Sequence, residues 1–170
     1  MLSKNYRNLK LQVYNEKEAI NFANNKLKTK HFFSVRGIPV PKLMGIFKNR
    51  EDVNKFDFAN LNKDFVIKPN QGAEGKGIIP FKERKGDKFI TISNKELTTN
   101  ELKNHIINIT QGIYNNGNKD TAFFEQRIKN SPELEEITYK GLPDVRVICF
   151  NQIPVMAMLR VPTKESDGRA

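Results

Sequence analysis

The chain has 170 residues, with 29 Lys+Arg against 19 Asp+Glu and a formal net charge of +10. That length buries a core without covalent staples and suits one domain or two small ones. A single cysteine, Cys149, excludes an intramolecular disulfide and reads as a reducing compartment. No apolar run reaches the roughly 18 residues of a membrane span and no signal-peptide stretch opens the sequence, so the expectation is a cytoplasmic protein without membrane contact.

The charge is uneven. Residues 1–50 hold eleven Lys/Arg and two acids, whereas residues 51–170 hold eighteen and seventeen. A basic first third suits nucleic acid or another anionic surface. The lysines are dispersed, however, in a chain with twenty asparagines, a bias that an AT-rich genome also produces.

In chain order, Ile20, Ala23 and Leu27 at helical spacing predict an amphipathic helix over 16–34 with a lysine-rich outer face. Gly37-Ile38-Pro39-Val40-Pro41 stops it and leads in extended form to a strand over 43–47. A short apolar strand over 64–69 ends in Lys68-Pro69, and a glycine-rich segment over 70–77 follows directly. Residues 78–81 and 88–92 read as two further strands turning near Gly86, which makes an antiparallel sheet with a flexible loop. Thr98 and Glu101 form a capping box, and Leu102, Ile106, Ile109 and Ile113 continue a helix that Asn116-Gly117 closes. Residues 121–126 read as a strand and 129–141 as a polar excursion. Residues 144–150 and 153–161 form a hairpin turning at Asn151-Gln152.

Lys68-Pro69-Asn70-Gln71-Gly72-Ala73-Glu74-Gly75-Lys76-Gly77 is the sharpest local feature. Its glycines permit close backbone approach, and exposed loop amides cradle phosphate oxygens. It matches neither the Walker A spacing nor the dinucleotide fingerprint, since a strand and not a helix follows it. The plain alternative is a loose hairpin loop. Lys68, an ammonium at a strand end, suits a phosphate as a point charge. Glu125 and Gln126, with the backbone near Ile128, suit an adenine edge; the plain alternative for Glu125 is a solvated strand-end acid. Asp144 and Arg146 share a strand face by the period of two and otherwise read as a surface ion pair. His31 and His105 lack a Cys or acid at metal spacing and read as helix-surface residues, so no metal ligand is assigned. Cys149 reads as a buried small hydrophobe, and Phe32, Phe33, Phe123 and Phe124 as core.

Taken together, these pieces resemble the ATP-grasp fold, and within it the glutamate-ligase branch of RimK-like and alpha-L-glutamate ligase-like proteins. The match spans about residues 24–170. Asn25-Lys26-Leu27 with Lys30 and the Gly37 to Pro41 turn look like the family's opening helix and turn. Phe65 to Pro69 with Gly72 to Gly77 looks like its phosphate-lysine strand and glycine loop, and Phe124 to Ile128 like its adenine hinge. Asp144-Val145-Arg146 with Met156 to Arg160 looks like its Asp-hydrophobic-Arg strand and the arginine-ended strand after it.

The resemblance implies an α+β fold in which two α+β subdomains grip a nucleotide, the second incomplete here. Residues 1–36 would be a basic helical segment, 37–122 the small subdomain and 123–170 the start of the large one. It further implies that Lys68 contacts the α- and β-phosphates, that Gly72, Gly75 and Gly77 let the loop close, and that Glu125, Gln126 and the Ile128 backbone hold adenine. Asp144 would lie near ribose or substrate, and Arg146, Arg160 and Arg169 would face phosphate or an acyl phosphate. The implied reaction is ATP-dependent joining of a carboxylate, glutamate being the family's example, to an amine on a peptide, protein or polymer. The magnesium ligands are expected beyond Ala170, so the chain alone is expected not to turn over. Two rival readings are a basic nucleic-acid-binding module and an inactive ATP-grasp binding domain.

Overall fold

The computed structural model describes residues 3, 5, 6, 9, 13–61, 64–72 and 75–166. Arg169 lies outside them.

The helix expected over 16–34 is two helices, α1 (Lys17–Asn24) and α2 (Lys26–Ser34). Asn25 takes an extended backbone, φ −94° and ψ 97°, and its side chain accepts from the Lys28 N–H at 2.9 Å. An asparagine in that conformation satisfies an orphan donor of the next helix, so a cap interrupts a pattern whose apolar spacing runs straight through. β1 (Leu43–Phe47) follows, then α3 (Arg50–Lys55), whose cap Asn49 accepts from the Glu51 and Asp52 amides, and a 3-10 turn at Phe58–Asn60.

β2 (Phe65–Pro69), β3 (Ile79–Lys85), β4 (Lys88–Thr91) and β5 (Glu96–Thr98) form an antiparallel meander. β3 is longer than expected and turns at Gly86. α4 (Thr99–Thr110) starts with the expected capping box between Thr98 and Glu101. It ends earlier than Asn116-Gly117. Gly112 sits at φ +85°, its N–H reaches Ile109 O at 2.9 Å, and the Ile113 N–H reaches Asn108 O at 3.1 Å. That pair of bonds is a Schellman termination, and it leaves Ile113 60% exposed outside the helix.

β6 (Ala122–Gln126) inserts between β1 and β2, giving the order β1-β6-β2-β3-β4-β5. A division at residue 123 would therefore pass through the strand that has two sheet partners. Cross-strand partners share a face, and Phe65 opposes Phe81 while Ile67 opposes Phe124. This face, with Phe47, Phe89, Leu102, Ile106 and Ile109, makes a core in which rings interlock, Phe65 on Phe81 at 4.6 Å and Phe47 on Phe124 at 4.9 Å. Phe123 and Phe124 are buried as expected, but Phe32 is only partly covered and Phe33 is 40% exposed.

The excursion over 129–141 contains a one-turn helix, α5 (Pro132–Glu135). β7 (Asp144–Phe150) and β8 (Ile153–Arg160) pair as a separate two-stranded ribbon. Asn151 and Gln152 both have positive φ, 47° and 67°, as a two-residue primed turn requires. Nearly every ribbon side chain is exposed, Cys149 included, so the expectation of a buried thiol fails: among the described residues the Tyr14 ring meets Phe150 at 5.4 Å, but Cys149 stays open. None of the described helices is long and apolar enough to cross a membrane.

Candidate functional site

On the face of the sheet opposite the core, Val66 opposes Glu125 and Lys68 opposes Phe123. Lys68 and Glu125 are thus diagonal neighbours on one face, close enough for a long side chain to bridge. The Lys68 ammonium lies 2.5 Å from Glu125 Oε1. Glu125 is only 4% exposed, so it is not the solvated strand-end acid of the plain alternative. Its other oxygen, Oε2, takes Lys30 Nζ at 2.8 Å, and the same ammonium donates to Pro41 O at 2.7 Å. A buried carboxylate is costly unless paired and hydrogen-bonded. Here two ammoniums satisfy it, one from β2 and one from α2, and the cluster keeps a formal +1.

Lys68 and Glu125 line a cleft of about 710 Å³ together with Gln126, Ile128, Ile78 and Pro80. That volume lies within the range of nucleotide-sized ligands. Four cationic side chains line it, Lys68, Arg127, Lys129 and Lys140, against two acids, Glu125 and Glu135. Past the end of β6, neither the N–H nor the C=O of Ile128 has a hydrogen-bond partner among the described residues. The far wall is the 129–141 excursion, cinched by Asn130, whose Nδ2 donates to Thr138 Oγ1 at 3.0 Å and to Gly141 O at 2.9 Å. Asn130 Oδ1 is buried without a partner among the described residues. Asp64 takes Arg127 Nη2 at 2.6 Å and Lys129 Nζ at 2.9 Å. Burial opposes its ionisation, but the hydrogen bonds from Lys129 and Arg127 hold its carboxyl below the usual range.

The base of the glycine-rich loop is fastened by α2. Asn70 is buried, its Oδ1 accepts from the Leu27 N–H at 2.9 Å, and its carbonyl accepts from the Lys26 N–H at 3.2 Å. Lys26 Nζ donates to Gly72 O at 2.7 Å. Burial, and the nearby Lys68 charge, lower the Lys26 pKa, while Asp120 opposes the fall. Both Asp120 carboxylate oxygens accept from the Gln71 N–H.

The structure therefore gathers Lys68, Glu125, Gln126 and Ile128 at one cleft and sets Gly72, Gly75 and Gly77 in the loop beside it. Gly75 and Gly77 have positive φ, 73° and 75°. Asp144, Arg146 and Arg160 do not line the cleft. They lie on the ribbon, where Arg160 grips Asp144 through two bonds, Nη2 to Oδ1 at 2.7 Å and Nε to Oδ2 at 3.0 Å, so the acid pairs across strands and not with Arg146. Sequence reasoning assigned no role to Lys26, Lys30, Asp120 or Asn130. The four-residue spacing that puts Lys26 and Lys30 on one face of α2 was the available signal. Among the described residues no three His, Cys, Asp or Glu side chains converge as a metal site.

No curated protein and no solved structure gives a significant match to the chain. The sequence profile of a family described as sugar-transfer associated ATP-grasp matches residues 5–170, and the strand-end lysine, glycine loop and hinge acid lie within that span. The chain belongs to the sugar-transfer associated ATP-grasp family, part of a superfamily of ATP-dependent ligase-like enzymes.

Proposed function

We propose that the cleft binds ATP, with the adenine against the Gln126 to Ile128 hinge and the phosphates at Lys68 under the glycine-rich loop. The observation that carries this reading is the placement of Lys68 on buried Glu125 at the mouth of that loop, in the same cleft as the unpaired Ile128 amide and carbonyl. Glu125 holds the Lys68 ammonium in position before a ligand arrives, so little side-chain ordering remains to be done on binding. A phosphate oxygen then competes for that ammonium, and Lys30 remains to compensate the carboxylate. The residues over 37–122 would act as the small subdomain and those from 123 onward as the start of the large one, with β6 joining the two through its place between β1 and β2.

The reaction we assign is carboxylate–amine ligation. A carboxylate oxygen attacks the γ-phosphorus and ADP leaves; the amine nitrogen then attacks the acyl carbon and inorganic phosphate leaves, forming the amide. Catalysis of such a transfer rests on positioning and on neutralising phosphoryl charge. In that scheme Asp144 would serve ribose or substrate and Arg146, Arg160 and Arg169 the transferred phosphoryl group, roles that require the ribbon to approach a cleft its residues do not line, with the glutamate-ligase branch as the chemical template. The family's description ties its members to sugar transfer, which points to a substrate carried on a sugar-containing acceptor.

The test is the melting temperature with and without ATP, in the wild type and in Lys68→Ala. Saturation at a hundred times Kd stabilises by about 2.7 kcal/mol, and the substitution should abolish most of that rise. No rise in the wild type, or an equal rise in both proteins, overturns the assignment. Steep loss of single-stranded DNA affinity with salt, in the absence of an ATP effect, would establish the nucleic-acid reading instead.

A further inference from the structure

We propose that His105 and Tyr114 are a positioning pair for the glycine-rich loop: the imidazole fixes the Gly77 carbonyl, and the phenol fixes which imidazole nitrogen carries the proton. Read as a helix-surface residue from sequence, His105 is instead half-buried and reaches across 28 positions to the end of the loop. Its Nε2 lies 2.9 Å from Gly77 O. A carbonyl only accepts, so Nε2 is the protonated nitrogen. In the neutral ring Nδ1 is then a lone pair, and the Tyr114 hydroxyl, 3.3 Å away, donates to it. Burial, followed by repulsion from Lys95, disfavours the imidazolium and keeps that neutral arrangement, although the Gly77 bond opposes the shift.

Sterics act in the same direction. Gly77 has φ +75°, and a Cβ there would lie 2.8 Å from Cγ and Cδ2 of the Tyr114 ring. The loop's last residue is thus held between an imidazole donor and a phenol face. Tyr114 reaches this place because the Schellman turn at Gly112 sends the chain back beside α4. The grip also lies where it matters for the cleft. Ile78, the next residue, lines the cleft wall, and its N–H closes a turn onto Gly75 O at 3.2 Å. Losing the Nε2 donor would free the Gly77–Ile78 peptide to rotate and release the point at which the loop re-enters the sheet.

The consequence for nucleotide rests on the ATP reading above, so the experiment has two separate readouts. In the ligand-free chain, amide exchange at Ile78 is compared with exchange at Phe124 in the core for wild type, His105→Leu, His105→Gln and Tyr114→Phe. His105→Leu, which lacks a donor, should lower Ile78 protection about tenfold while Phe124 stays as in the wild type, and His105→Gln, whose amide donates from a similar reach, should restore most of it. Tyr114→Phe leaves the neutral ring free to present a lone pair to Gly77, so its Ile78 protection should rise as pH falls through the lowered imidazole pKa, where the imidazolium donates from both nitrogens. Wild-type protection in His105→Leu overturns the proposal, as does a His105→Gln loop as open as that of His105→Leu. Where His105→Leu opens the core as well, Tyr114→Phe decides, and protection in it that does not change with pH overturns the proposal. The second readout is ATP affinity, expected to fall severalfold in His105→Leu and to recover in His105→Gln. A loop that opens without loss of ATP affinity supports the positioning pair and overturns the placement of ATP.

Discussion

β6 and β7 are both short strands carrying large apolar side chains, yet one is buried and the other mostly exposed. Phe124 in β6 lies between strands on both edges and under Phe56, Phe58 and α4 on the core face, and Phe123 is buried on the other face, whereas Val145, Val147 and Phe150 in β7 are at least half exposed. The contrast teaches that strand pattern reports the capacity to bury a face and not whether the face is covered. It also separates two kinds of ion pair. Glu125 is buried between Lys30 and a partly exposed Lys68, and Asp144 with Arg160 sits on an open ribbon. A two-stranded ribbon is marginal by itself, and its stability comes mainly from its own cross-strand pairs.

The contrast can be broken by substitution. The largest effect is expected from Phe124→Ala, which empties the centre of the interlocked rings and should cost about 3–5 kcal/mol in urea denaturation, against under about 0.5 kcal/mol for Val145→Ala on the ribbon. Next, Glu125→Ala leaves two ammoniums facing each other and should cost about 2–3 kcal/mol, while Asp144→Ala should cost less than about 1 kcal/mol. A costly Asp144→Ala would mean that the ribbon is covered in solution.

Smaller effects sharpen the comparison. Burial lowers the His105 pKa, so the unfolded chain takes up a proton that the folded chain refuses. The stability so contributed is complete above about pH 6.5 and declines as pH falls toward the lower folded value. Melting temperature followed from pH 7.5 to 5 should therefore drop more steeply in the wild type than in His105→Gln. Asp64 behaves likewise at lower pH: its contribution is complete above about pH 4 and fades as acid titrates the folded carboxyl. Asp64→Asn should flatten the acid limb of the same curve. Smallest in energy, exposed Cys149 should react with a thiol reagent in the native state at nearly the rate of the unfolded chain.

Local signals are the legible part of this sequence. The capping box at Thr98, the strand ending in Lys68 and the turn at Asn151-Gln152 each depend on residues a few positions apart. The break at Asn25 was hidden because apolar spacing continued across it, and only the side-chain cap reveals the interruption. Two glycines competed to end α4, and tertiary packing of Tyr114 favours the earlier one. At the site, Lys68 and Glu125 were legible as residue types. The contacts of Lys30 with Glu125 and of His105 with Gly77 join positions 95 and 28 residues apart, and no local pattern carries such pairings.

The place of β6 has a consequence for how the molecule is made. The strand that lies between β1 and β2 is the last of the six to be synthesised. As the chain emerges from a ribosome, the β2–β5 meander and α4 can assemble through near neighbours, while β1 waits without a sheet partner until residue 126 is out. Closing that gap joins Phe47 to Ala122 across the whole intervening chain, a slow kind of pairing because the loop entropy is lost before the contact repays it. The same insertion creates the Lys68–Glu125 contact. The cleft therefore comes into being only with the final step of sheet assembly, and a nascent chain cut short of β6 would carry Lys68 with no Glu125 to hold its ammonium in place.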